Sequence, residues 1–267
     1  DAISPDGSRV YLLQRLNDGT SHYYVRLYEV DKSALMDGFI IDKNEIDEAD
    51  MNGTPLARQV AVDGSKVFTL YLDTRHNRAF IHILPLVGDY TGARCIDLPA
   101  GKDPGLLHYY TLTLSTYQDG TADLYAANGA LGLVTRVKVT PDDQVFNIKA
   151  DPAVHFTGAL SPSGATNRVL SLHNGAILSA DGQTLFFIGL QGVWTVNPQK
   201  LASDGMEFKR YLMDRTISSL ALSPDGKTLY ALAADQGILA LDVGTGQLRQ
   251  TFSTPVQSPL GIAWTAG

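Results

Sequence analysis

Leu222-Ser223-Pro224-Asp225-Gly226-Lys227-Thr228-Leu229-Tyr230 is the stretch that decides the fold. Proline presets the φ of an early turn position, and glycine supplies the positive φ that closes the turn without steric cost. Ser-Pro-Asp-Gly therefore reads as a tight turn, and the residues on either side of it read as strands. Residues 217–222 alternate apolar and small polar side chains, and residues 228–233 are rich in β-favouring types. A second turn at 234–237 leads into a strand at 238–243, and Gly244-Thr245-Gly246 leads into a last one at 247–252. Four short strands separated by turn signals roughly every 8–12 residues describe an antiparallel meander.

The same grammar occurs four more times. Asp6-Gly7 precedes Val10-Tyr11, Asp63-Gly64 precedes Val67-Phe68, Asp119-Gly120 precedes Leu124-Tyr125, and Asp181-Gly182 precedes Leu185-Phe186. Repetition at a roughly constant period marks a repeat architecture. Third and fourth strands are expected at 23–30 and 39–42, at 79–84 and 94–98, at 133–139 and 144–148, and at 193–196 and 208–212. Pro85 belongs at a strand end, because it cannot donate to a ladder. No stretch sustains a helical apolar period, so the chain is all-β.

A lone four-stranded meander exposes two apolar faces. Radial stacking of such sheets buries each face against a neighbour, which is the β-propeller solution. The segment 258–264, ending in Ile262-Ala263-Trp264, matches a first strand and then stops. It reads as a latch that completes a blade built from N-terminal strands.

Three stretches now carry a resemblance: Pro259-Leu260-Gly261-Ile262-Ala263, 222–230, and Leu241-Asp242-Val243-Gly244-Thr245-Gly246. They resemble YVTN-type repeats of the WD40-like β-propeller superfamily, most clearly over 215–264 and also over 2–14 and 176–190. Such motifs specify a fold and leave its use open. The resemblance implies one propeller domain over 1–267. Five full repeats plus a closing strand are fewer than the blades of the seven-bladed members, so two readings stand: a compact propeller, or, the one favoured, part of a longer propeller with further N-terminal blades. The family includes extracytoplasmic binding modules, lactonase-type enzymes and heavy chains of amine dehydrogenases.

Net charge is −7, and no Lys/Arg cluster exceeds an isolated pair such as Lys209-Arg210, which argues against a nucleic-acid surface. No run of 18 apolar residues exists, so no membrane span is expected. Cys95 stands alone and reads as a half-buried structural thiol. There is no Cys-x-x-Cys-His, His-Glu-x-x-His, Walker loop or Gly-x-Ser-x-Gly, so no cofactor, no metal and no catalytic residue is assigned. The adjacent Asp and Gly do not have the spacing of a sialidase Asp-box, and they serve the hairpin.

Ligands of propellers usually meet the loops before each first strand. His108, Tyr109, His173, Asn174, Arg58 and Arg215 fall at about that place and form the candidate ligand-binding set at a channel mouth. Such a set could bind an anion or a metal, or poise a general base, since His titrates near neutrality. The plainer reading is that these polar residues are solvated. His82 reads as a strand-face or core residue, residues 75–77 as a hairpin tip, and the acidic run 42–50 as a solvated loop. The expected function is a non-enzymatic, extracytoplasmic (periplasmic or secreted) scaffold that binds another protein subunit or a ligand. The alternative is a propeller enzyme or enzyme subunit, lactonase-like or amine-dehydrogenase heavy-chain-like, using the His/Arg set.

Overall fold

The computed structural model describes residues 2–16, 21–42, 51–88, 92–141, 147–156, 174–201, 206–233, 237–254 and 261–263. They form five sheets. The first contains β1 (Ala2–Ile3), β2 (Arg9–Arg15), β3 (His22–Glu29) and β4 (Ala34–Leu35) in that order. The next two strands in the chain part company. β5 (Ile41–Asp42) joins the second sheet, and β6 (Met51–Asn52) pairs with β3. The second sheet also holds β7 (Thr54–Val60), β8 (Lys66–Asp73), β9 (Arg78–Pro85) and β10 (Gly92–Leu98), in the order β5-β10-β9-β8-β7.

The sequence pattern makes residues 39–42 the outer strand of the first repeat. Ile40 does bridge to Val25, but Ile41 and Asp42 pair in parallel with Gly92 and Ala93. This connection covers part of the outer edge of the second sheet, where unpaired N–H and C=O groups would otherwise face water.

The remaining sheets are meanders. The third is β11 (Tyr110–Thr116), β12 (Ala122–Asn128), β13 (Leu133–Thr140) and β14 (Asn147–Ala150), with β15 (Val154–His155) also pairing on β13. The fourth is β16 (Ala176–Leu178), β17 (Leu185–Ile188), β18 (Val193–Val196) and β19 (Lys209–Tyr211). The fifth is β20 (Ile217–Leu222), β21 (Thr228–Ala233), β22 (Gly237–Asp242) and β23 (Leu248–Phe252). Pro85 ends β9, as its missing N–H requires.

The five Asp-Gly turns share one wiring. In each, the Gly N–H donates to the carbonyl three residues earlier, at 2.8–3.1 Å: Gly7 to Ser4, Gly64 to Ala61, Gly120 to Tyr117, Gly182 to Ser179 and Gly226 to Ser223. All five glycines have φ between +68° and +79°. The Asp carboxylate accepts the N–H two residues on, as at Ser8, Ser65, Thr121, Gln183 and Lys227. Three copies, at Ser4, Ser179 and Ser223, add a serine whose Oγ donates to the Asp and accepts the N–H five residues on. For Ser223 these distances are 2.5 Å to Asp225 and 2.9 Å to Thr228. Hydrogen bonds from Ser4 and then Ser8 hold the Asp6 carboxyl down at about 2, and the Asp225 carboxyl is lowered first by Ser223. Ser223→Ala removes a donor and an acceptor from an exposed turn, and the expected result is a melting temperature lower by about 2–4 °C, read by circular dichroism.

The chain folds into two compact units: 1–105 with 116–122 and 138–149, and 106–115 with 123–137 and 150–267. In the first unit, Tyr11, Tyr23, Val25 and Leu27 of the first sheet pack with Val67, Tyr71, Phe80, Leu84 and Ala93 of the second. In the second unit, β17 shows why these sheets stack. Its four residues are all buried although their side chains alternate between faces. Phe186 and Ile188 join Leu220, Leu229 and Leu239 of the fifth sheet, while Leu185 and Phe187 join Tyr125, Ala127 and Val134 of the third. A sheet covered on both faces is a blade between two blades.

The expected latch falls mostly outside the described residues, Leu260 and Trp264 included. Residues 261–263 are described and carry no strand. Both backbone groups of Ile262 are taken by side chains of the second unit: its N–H donates to Ser219 Oγ (3.1 Å), and its carbonyl accepts from Asn174 Nδ2 (3.1 Å). The third strand of the fifth repeat ends at Asp242, and the acidic run beyond Asp42 lies outside the described residues.

Candidate functional site

The sequence-derived set divides between the two units. Arg58 belongs to the first; His108, Tyr109, Asn174 and Arg215 belong to the second; His173 lies outside the described residues. Arg58 sits within β7, opposite Thr69, because the strand already begins at Thr54. His108 and Tyr109 close a 3-10 turn, Pro104–Tyr109, that leads into β11. Burial raises the Tyr109 phenol. Asn174 precedes β16 at φ +53°, in a left-handed conformation that Asn tolerates. Its side chain holds Ile262 and its carbonyl accepts the Leu220 N–H at 3.0 Å. The Arg215 guanidinium lies 3.5 Å from Asp214, and its carbonyl accepts the Gly192 N–H at 2.7 Å. Asn174 and Arg215 thus both contribute to joining segments of the second unit.

A second polar group appears only once the register is known. In the second sheet Arg58 opposes Thr69, Thr69 opposes His82, and His82 opposes Cys95. Cross-strand partners point to the same face. Asp42 opposes Ala93, two residues from Cys95, and so joins that face. The result is a row, Asp42–Cys95–His82–Thr69–Arg58, set within the core between the first and second sheets. Tyr71 stands beside it, its ring stacked on Tyr23 at 4.8 Å and meeting His82 edge-on at 5.9 Å.

The electrostatics of the row decide its chemistry. Burial, and next the Asp42 carboxylate, push the Cys95 thiol well up, so at neutral pH it is not the thiolate a nucleophile needs. Burial pulls His82 down to about 4, and it stays neutral with Nε2 buried and without a hydrogen-bond partner. A cavity of about 20 Å³ lies against His82, Thr69, Tyr71 and Arg58.

A larger cavity of about 110 Å³ lies beside Asp42, Cys95, Asn52, Phe80 and the pair Asp73–His76. Asp73 is buried and accepts both His76 Nδ1–H (2.6 Å) and the His76 backbone N–H (3.2 Å). A carboxylate behind an imidazole fixes its tautomer, as in general bases. Here the same two bonds also close the β8–β9 hairpin, where Asn77 has φ +52°. Among the described residues, no group of three or more His, Cys, Asp or Glu side chains is placed to hold a metal ion. Among them, too, no helix is long and apolar enough to cross a membrane.

No family model matches the chain, and no curated protein matches it. Solved structures do. The WD40 domain of SCAP from fission yeast superposes with a TM-score of 0.52 at 11% identity, over 92% of this chain and 57% of that one. The hydrazine synthase of Kuenenia stuttgartiensis gives 0.44 at 14% identity, over 96% and 71%. A prolyl endopeptidase gives 0.45 at 14% identity, over 95% and 34%. The chain spans little more than half the length of the WD40 chain it matches, at an identity that speaks for fold alone. With its five sheets and buried blade faces, the chain has the WD40-like β-propeller fold, built on four-stranded antiparallel meanders, three of which gain one further short strand.

Proposed function

We propose that this propeller is a non-enzymatic scaffold that docks another protein, as an extracytoplasmic subunit of a larger assembly. The observation that carries the reading is an apolar end on the first unit, where the first two Asp-Gly turns meet. Pro5 lies against Gly64, where an added Cβ would come within 3.1 Å of its Cγ. The Leu86 N–H donates to the Ser65 carbonyl at 2.8 Å, and Arg9 donates to the Gly88 carbonyl. Around these contacts Ile3, Val60, Val62 and Val87 are 63%, 51%, 88% and 49% exposed. Apolar side chains gathered at one end of a scaffold mark an interaction surface. A cleft of about 300 Å³ between Ser4–Arg9 and Leu86–Gly88 gives a partner side chain somewhere to enter. What supports the extracytoplasmic part of the proposal is the resemblance to YVTN repeats.

The test uses a photo-crosslinking residue at position 62, with position 249 on the exposed β23 as the control, in the native cell. The expected result is one defined protein adduct from position 62, reduced at least tenfold by Val87→Glu, together with fractionation outside the cytoplasm. Equal labelling from both positions would remove the interface. Turnover of a defined substrate by the purified chain would remove the non-enzymatic reading.

A further inference from the structure

The first unit carries a basic cleft in a chain whose net charge is −7. A cavity of about 290 Å³ is lined by the guanidinium-bearing Arg15 and Arg75 and by three hydroxyl-bearing residues, Ser21, Thr54 and Thr74. Three separate segments bring them together. Arg15 ends β2, Thr54 begins β7 opposite Leu72, and Thr74 and Arg75 lie in the turn that follows β8. Ser21 is tied to this place because its carbonyl accepts the Gly53 N–H at 3.0 Å. Gly53 has φ +148°, and a Cβ there would meet Tyr71 at 3.1 Å and Phe80 at 3.3 Å. Only glycine lets the backbone lie this close to the second sheet and present Thr54 at the cleft.

Other arginines of the chain are committed. Arg78 pairs with Asp97, Arg136 with Asp151, Arg215 with Asp214 and Arg249 with Asp242. Arg15 and Arg75 have no ion-pair partner among the described residues. The one carboxylate in the wall, Asp73, accepts from His76 through both oxygens.

We infer that this cleft binds a phosphate group, carried by a small phosphomonoester. Two guanidinium forks and three hydroxyls offer more donors than the four acceptor sites of a planar carboxylate can use, and they suit a tetrahedral oxyanion. A volume near the lower end of small-molecule sites leaves room for an organic group beyond the phosphate, and Leu72 gives it an apolar wall. This inference stands apart from the docking reading, since the two surfaces share no residue.

The experiment is isothermal titration of the full chain at low ionic strength with phenyl phosphate, inorganic phosphate and acetate. Saturable one-site binding of phenyl phosphate is expected, with acetate about tenfold weaker and added salt weakening all three. Arg15→Gln and Arg75→Gln should each weaken phenyl phosphate about tenfold, the size of one charge-assisted contact. Lys102→Gln, an exposed cation elsewhere on the first unit, should leave binding unchanged. Melting curves check that the variants fold, and Thr54→Val reports on the cleft without altering charge. Phosphate binding as tight as that of phenyl phosphate would assign the site to the free ion and overturn the organic part. Acetate binding as tight, no saturation, or indifference to both arginine variants would overturn the site.

Discussion

Gly192→Ala is expected to destabilise the second unit by about 3 kcal/mol, while Gly226→Ala costs only ~1 kcal/mol, although the two backbones are nearly identical. Gly192 has φ +73° and Gly226 has φ +68°, so a Cβ is disfavoured alike at both. The difference is in what the Cβ meets. At Gly226 nothing lies within 4 Å. At Gly192 it would sit well inside van der Waals contact distance of the Tyr211 carbonyl oxygen and 2.8 Å from that of Leu212. Both are backbone atoms of the segment that leaves β19, and neither can swing away as a side chain would. The same segment is pinned from the other side, because the Gly192 N–H donates to Arg215. Relief of the clash would therefore pull β18 from β19 or break that bond. Urea denaturation of the two variants against the parent measures the gap. Equal losses would mean that the strain is conformational only and that the β18–β19 edge yields freely.

That pair of glycines also shows what the sequence makes legible. Gly226 sits in a Ser-Pro-Asp-Gly turn whose chemistry is local, so its positive φ is readable from four residues. The strand order within each meander is readable for the same reason, since each pairing follows a short turn. Gly192 is unremarkable by its neighbours, and its constraint comes from Tyr211 and Leu212, which only the fold brings near. Asp42 is the clearest case. It reads as the start of a solvated acidic loop, yet it is buried and pairs in parallel with Ala93, about fifty residues away. A two-residue parallel strand has neither a hairpin turn nor a length of pattern to announce it. The row from Asp42 to Arg58 and the cleft at Arg15 and Arg75 are hidden in the same way. Each is assembled by register from several strands, and a one-residue slip would turn its members to the other face. The candidate set is readable as a list of polar residues before first strands. That Asn174 holds Ile262 and that Arg58 lies within a strand are facts of the fold.

Acidification from pH 6.5 to 4 is expected to remove about 3 kcal/mol of stability through His82 alone, at ~1.4 kcal/mol for each unit between the two pKa values. His82 is 2% exposed, and its pKa falls from 6.5 to about 4 chiefly because burial disfavours the imidazolium. The carboxylate of Asp42 opposes the shift and the guanidinium of Arg58 adds to it. Between these pH values the unfolded chain binds the proton and the folded chain does not, so stability falls as pH falls. The loss begins near 6.5 and is complete below about 4. The turn carboxylates contribute in a lower window. Asp6, held at about 2, and the lowered Asp63, Asp119, Asp181 and Asp225 stabilise the fold above the ordinary carboxylate value of 3.8 and release that stability as pH drops below it. Acid unfolding should therefore show two limbs with separate causes. His82→Phe keeps an aromatic ring against Tyr71 and removes the unpartnered Nε2, so it should flatten the upper limb and leave the lower one in place. Urea midpoints taken from pH 7 to pH 2 give both limbs in one series. If His82→Phe retains the full loss between 6.5 and 4, the buried imidazole is not its source, and the other histidines must be replaced in turn.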